Sequence, residues 1–125
     1  MEIKMKKVKF GIAVMAAGLL AAVQPASAHH SFAMFNQNNT VEFKAATVVQ
    51  FQWSNPHVYV VIKSGNTNYT LECSSPSGMR DSGWKFDTLK AGDKVDVAFF
   101  PMRDGRPGGA LKTVTLQGGK VLKAW

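Results

Sequence analysis

Three histidines and one cysteine are the residues of this chain whose types could bind a metal or attack a substrate. His29 and His30 are adjacent, directly after Ala26-Ser27-Ala28, small residues at the positions a signal peptidase reads. A cut after Ala28 would make His29 the first residue, with a primary amine and a ring nitrogen forming a chelating pair. His30 adds a second imidazole, and His57 a third. Neutral nitrogen donors in this number suit tetragonal Cu(II) better than Zn(II), and copper stands at the top of the divalent affinity order. The stretch from His29 to Thr40 reaches about 36 Å at full extension, so spacing permits a site with His57 without enforcing it. A plainer reading has His29 and His30 on a solvated arm and His57 pinning the Asn55-Pro56 turn through a backbone hydrogen bond.

The other chemistry-bearing residues are dispersed. Met34, Met79 and Met102 carry soft sulfur for Cu(I), but isolated methionines commonly fill cores. Glu42, Glu72 and the aspartates are not spaced as an acid/base pair. Ser74 and Ser75 lack a nucleophile-elbow setting, and Cys73 falls on an apolar face. The sequence therefore points to a binding protein without enzymatic activity. A second group, Trp53, Asn55 and Tyr59 with Arg103 and Arg106, could offer aromatic platforms and guanidinium groups to an envelope glycan, a peptide, an anionic ligand or a partner protein. Against this, Trp53 sits on the apolar parity of its strand, which favours a core residue over a platform.

The elements that must position these residues begin after residue 28. Lys4, Lys6, Lys7 and Lys9 precede an uncharged apolar run from Phe10 to Val23. That pattern predicts a signal peptide over 1–28, too short to span a bilayer, and places the mature protein in the periplasm or outside the cell with no membrane span. Of the 15 basic and 8 acidic residues, four lysines and Glu2 leave with it, so 11 and 7 remain in 97 residues. A net charge of +4 in an exported chain does not suggest a nucleic-acid partner. One cysteine excludes an internal disulfide. The small size predicts one domain, a monomer or weak homo-oligomer held by its apolar core.

Beyond an N-terminal arm, 29–39, alternation predicts a barrel domain over 40–125. Val41 to Trp53 reads as a long strand with its odd-numbered residues inward, including Val49. Strands follow at His57–Lys63, Thr67–Cys73, Lys94–Phe100 and Ala110–Gln117. The region after Ser74 allows one short helical turn before its glycines intervene. Leu89 to Asp93 predicts a tight turn, and Lys120–Trp125 a short tail. The order of three strands, a short helical connection and two more strands predicts an all-β, five-stranded OB-like barrel. An open sandwich is the alternative, because the first strand has no glycine to mark the bend a barrel needs.

The start His29-His30-Ser31-Phe32-Ala33-Met34-Phe35, the segment Phe51 to Val58 containing Asn55-Pro56-His57, and the stretch Leu89 to Val95 together resemble one family of small exported bacterial proteins of unknown function. The resemblance implies a single secreted domain. It implies no activity, ligand or metal.

Overall fold

The computed structural model describes residues 2–4 and 32–125. The chain divides into two compact units, Met1–His30 and Ser31–Trp125. Of the first, residues 2–4 are described and carry no regular structure. The rest of the expected signal segment, with His29 and His30, lies outside the described residues. Among the described residues no helix is long and apolar enough to cross a membrane.

In the second unit a single 3-10 turn, Phe32–Met34, leads into β1 (Val41–Gln52), β2 (Tyr59–Ser64) and β3 (Thr67–Glu72). Helix α1 (Pro76–Asp81) follows, then β4 (Lys94–Pro101), β5 (Gly108–Thr115) and β6 (Val121–Lys123). The sheet order is β3-β2-β1-β4-β5-β6, and β3 also pairs in parallel with β5. That last pairing closes β1 to β5 into the expected five-stranded barrel and rules out the open sandwich. Two glycines make closure possible: Gly108 and Gly109 lie opposite Thr70 and Leu71. A methyl group on Gly108 would come within 2.5 Å of the Thr70 carbonyl oxygen.

The parity expected for the first strand holds only at its ends. Val41 and Phe43 pair with Phe99 and Val97, but Val95 is then met by Ala46, so β1 carries one extra residue. Ala45 sits in this bulge at φ +51°, the left-handed region, and its N–H donates to Asp96 Oδ1 at 2.8 Å. A second extra residue falls between Val48 and Gln50. Each bulge turns the strand over by one position. Ala46 and Val48 therefore face the core, while Val49, expected inward, is 41% exposed. The second bulge restores odd parity, and Phe51 and Trp53 pack against the core. The bend comes from two bulges, with no glycine required.

Helix α1 is as short as its glycines predict. Ser75 caps it by accepting the Gly78 N–H at 3.2 Å, and Pro76 occupies the first turn. The turn before β4 is closed by Lys90 N–H to Asp93 Oδ2 at 2.9 Å and tied to β1 by Val48 N–H to the Asp93 carbonyl at 2.8 Å. The expected tail is instead structural. Residues Val121–Lys123 form a sixth strand on β5, burying Leu122 and the following Ala124. Trp84, the largest fully buried side chain, donates its Nε1–H to the Lys123 carbonyl at 2.8 Å.

Candidate functional site

His57 lies at the entrance to β2, where the chain has passed the cis Asn55-Pro56 bond. The Ser54 hydroxyl donates to the His57 carbonyl at 3.0 Å, which fixes the backbone of this turn. The imidazole Nδ1–H donates to the Cys73 carbonyl at 2.8 Å, joining the start of β2 to the end of β3. Because a carbonyl only accepts, this bond puts a proton on Nδ1. A Glu72 carboxylate oxygen stands 3.6 Å from the same Nδ1, and both side chains are largely buried, at 24% and 12% exposed. Partners of this kind are what orient a metal-ligating histidine.

Cys73 is fully buried, as its parity predicts. Burial, and next to it the negative charge of Glu72, pushes its thiol well above the ordinary range, so it is inert. Tyr59, paired directly across the ladder from Glu72, has its phenol shifted upward by burial and then by that carboxylate. Met79 is core, and Met34 and Met102 are half-buried around the next feature.

That feature is the arm. Phe35 is buried and bridges to Met102 in the β4–β5 loop. Asn36 N–H donates to the Pro101 carbonyl at 2.8 Å, and Arg103 N–H to the Met34 carbonyl at 3.0 Å. Arg103 Nε adds a bond to the Ala33 carbonyl at 2.8 Å. Arg103 is thus a clamp on the arm. Arg106 binds its own loop: its backbone N–H, 3.0 Å from Asp104 Oδ1, and then its Nε, 2.7 Å from Oδ2, hold the Asp104 carboxyl below its usual range. Trp53 is half-buried, lies edge-on to Phe51 and is covered by the Arg80 guanidinium at 5.5 Å. Asn55 is exposed and Tyr59 half-buried. Among the described residues no hydrogen bond, ion pair or ring contact joins Trp53, Asn55 or Tyr59 to Arg103 or Arg106.

What does converge is a pair of rings on Trp125. The Phe32 ring meets this indole edge-on at 4.7 Å between centroids, and the His57 imidazole lies 5.8 Å from it. The clamped arm therefore reaches the barrel beside His57. Among the described residues no three His, Cys, Asp or Glu side chains form a group able to hold a metal ion. Of the proposed ligands, only His57 belongs to the described residues.

A family of unknown function (DUF6152) matches residues 16–114, most of the chain. The chain belongs to that family. The match covers His29, His30 and His57 in this DUF6152 member and ends inside β5, before β6 and Trp125. No curated protein and no solved structure matches it.

Sequence reasoning missed Phe32, Trp125, Lys112 and the arm clamp. The signal was the alternation of Leu122 and Ala124 with Val121, Lys123 and Trp125, which marks a further strand in the expected tail. The clamp on Ala33 and Met34 left no trace, since backbone carbonyls carry no residue-specific signature.

Proposed function

We propose that this protein is exported to the periplasm, is processed after Ala28, and binds one Cu(II) ion without catalysing a reaction. The His29 amine and ring, the His30 imidazole and His57 Nε2 form the donor set. Export is supported by the four lysines, the 14-residue apolar run from Phe10 to Val23 and the Ala-Ser-Ala sequence before His29. The observation that carries the metal reading is the common contact of Phe32 and His57 with Trp125. His30 precedes Phe32 by two residues in the sequence. The bond from His57 Nδ1–H to the Cys73 carbonyl supports it further, because such a partner fixes the orientation of a ligating imidazole.

The chemistry available to such a site is nitrogen ligation of a divalent ion in tetragonal geometry. The second reading, a ligand held by Trp53, Asn55, Tyr59, Arg103 and Arg106, draws less support, because both arginines and the Trp53 face already have partners within the protein.

Copper titration of the processed protein, followed by electron paramagnetic resonance, tests the proposal. A form with one additional residue before His29 should bind at least tenfold more weakly, and His57→Ala should change the nitrogen hyperfine pattern. Equal affinity in the extended form removes the amine from the site, and an unchanged spectrum in His57→Ala removes the imidazole. Intact mass of the exported protein locates the new terminus independently.

A further inference from the structure

A surface cavity of about 260 Å³, which the proposed metal site does not use, is lined by Phe32, Phe100, Lys112, Thr113, Lys123 and Trp125. Three aromatic rings form its apolar lining, and two ammonium groups accompany them with no carboxylate side chain among the lining residues. Among the described residues neither lysine forms an ion pair. Lys112 Nζ sits over the Phe100 ring, 4.8 Å from its centroid, and donates one hydrogen bond to Thr40 Oγ1 at 3.1 Å. An ammonium carries three donors, so two remain for a ligand. Lys123 is exposed, and Trp125 is 43% exposed although it is large and apolar.

We infer that this cavity binds a small amphiphilic anion, a carboxylate carrying a short alkyl chain or a single aromatic ring. The apolar body would lie against Phe32, Phe100 and Trp125, and the carboxylate would meet Lys112 and Lys123. The commitment to an anion follows from charge complementarity: an apolar lining beside two lysines that form no ion pair among the described residues penalises a cationic ligand and leaves a neutral one without its polar partner. The commitment to a small body follows from volume, since a cavity of about 150 Å³ accepts a benzene-sized molecule. Drug-sized ligands occupy about 300 Å³ or more, so this site suits an eight-carbon acid and little larger. The inference needs no copper, because among the described residues His57, the proposed metal ligand, does not line the cavity.

The test is two-dimensional ¹H–¹⁵N NMR on protein recovered from expression of the full 125-residue chain, titrated with octanoate, octanol and octylamine. The three tryptophans provide three indole N–H signals, and the one missing from the Trp125→Ala spectrum is that of Trp125. The Trp53 and Trp84 signals report whether that variant has kept its fold. Octanoate should shift the Trp125 signal with a Kd of about 1 mM, in line with the affinity per atom of a ligand this size. Octanol should bind several-fold more weakly and octylamine should leave the signal in place. Lys112→Met and Lys123→Met should each weaken octanoate about threefold to fivefold while leaving the other two indole signals unmoved. Absence of a shift up to 10-fold that concentration (about 10 mM), or equal shifts from octylamine, would overturn the inference. So would a Trp125 signal that moves with protein concentration alone, because the face would then belong to a second copy of the chain.

Discussion

Replacing Gly109 by alanine should force β4 and β5 apart in the barrel wall. Gly109 is buried between Leu71 of β3 and Pro101 of β4, with a strand on each side. A methyl group there would collide with the Phe100 carbonyl oxygen, stand 2.8 Å from the carbonyl carbon and 2.9 Å from Phe99 Cδ2. The obstacle is mainly backbone, which cannot rotate away as a flexible side chain would. Accommodation requires β4 and β5 to separate by roughly 1 Å, a strain of about 1–3 kcal/mol. Two neighbouring ladder hydrogen bonds weaken with it, at about 1 kcal/mol each. The expected loss is therefore about 3–5 kcal/mol, against a total stability of about 5–15 kcal/mol for a domain. For a domain of this length each kcal/mol moves Tm by about 4–8 °C, so Tm should fall by about 12 °C or more. Gly118→Ala is the control: its φ is +99°, but no neighbour stands within 4 Å of the added methyl. It should cost only the backbone penalty of about 1–2 kcal/mol. Circular-dichroism melts and urea unfolding of the two variants compare steric collision with backbone strain. A Gly109→Ala protein melting within about 3 °C of Gly118→Ala would refute the tight β4–β5 packing at Gly109.

The bulge at Ala45 makes a prediction of opposite sign: Ala45→Gly should gain about 0.5 kcal/mol, because relief of a left-handed alanine exceeds the added freedom of the unfolded chain, whereas Ala45→Val should lose more than 1 kcal/mol. Urea midpoints with unchanged m-values check both. Cys73 should resist iodoacetamide in the native protein and react at once on unfolding. Its raised thiol pKa means the folded chain keeps a proton that the unfolded chain loses above about pH 8.5, so stability should decline as pH rises beyond that point, by up to about 1.4 kcal/mol per unit. Cys73→Ala should flatten this alkaline slope, leaving the smaller contribution in the same direction from Tyr59 at higher pH.

The barrel was legible because alternation and turn residues survive without tertiary information. Tyr69, Leu71 and Cys73 fall on one side of β3, and Val95, Val97 and Phe99 on one side of β4, as their spacing requires. The first strand defeated the same reasoning at Ala45 and Val49. Alternation assumes one residue per rung, and a bulge breaks that assumption with no demand on residue type when a carboxylate such as Asp96 is available to receive the extra N–H. The candidate site was legible only in part. His57 was visible as a chemical type, but its tautomer depends on the Cys73 carbonyl, which lies sixteen residues away along the chain. Arg103 and Arg106 looked available because a sequence shows charge and hides the acceptors that occupy it.

Residue order alone determined the strand-rich class, the short capped helix, the inward thiol and the solitary cysteine that bars a disulfide, because each depends on neighbours in sequence or on composition. Tertiary structure decided the rest. The parallel seam of β3 and β5, the sixth strand and the meeting of Phe32 with His57 on Trp125 all join segments far apart in the chain. Contacts of that range are selected by the packing of the whole barrel, and no local pattern encodes them.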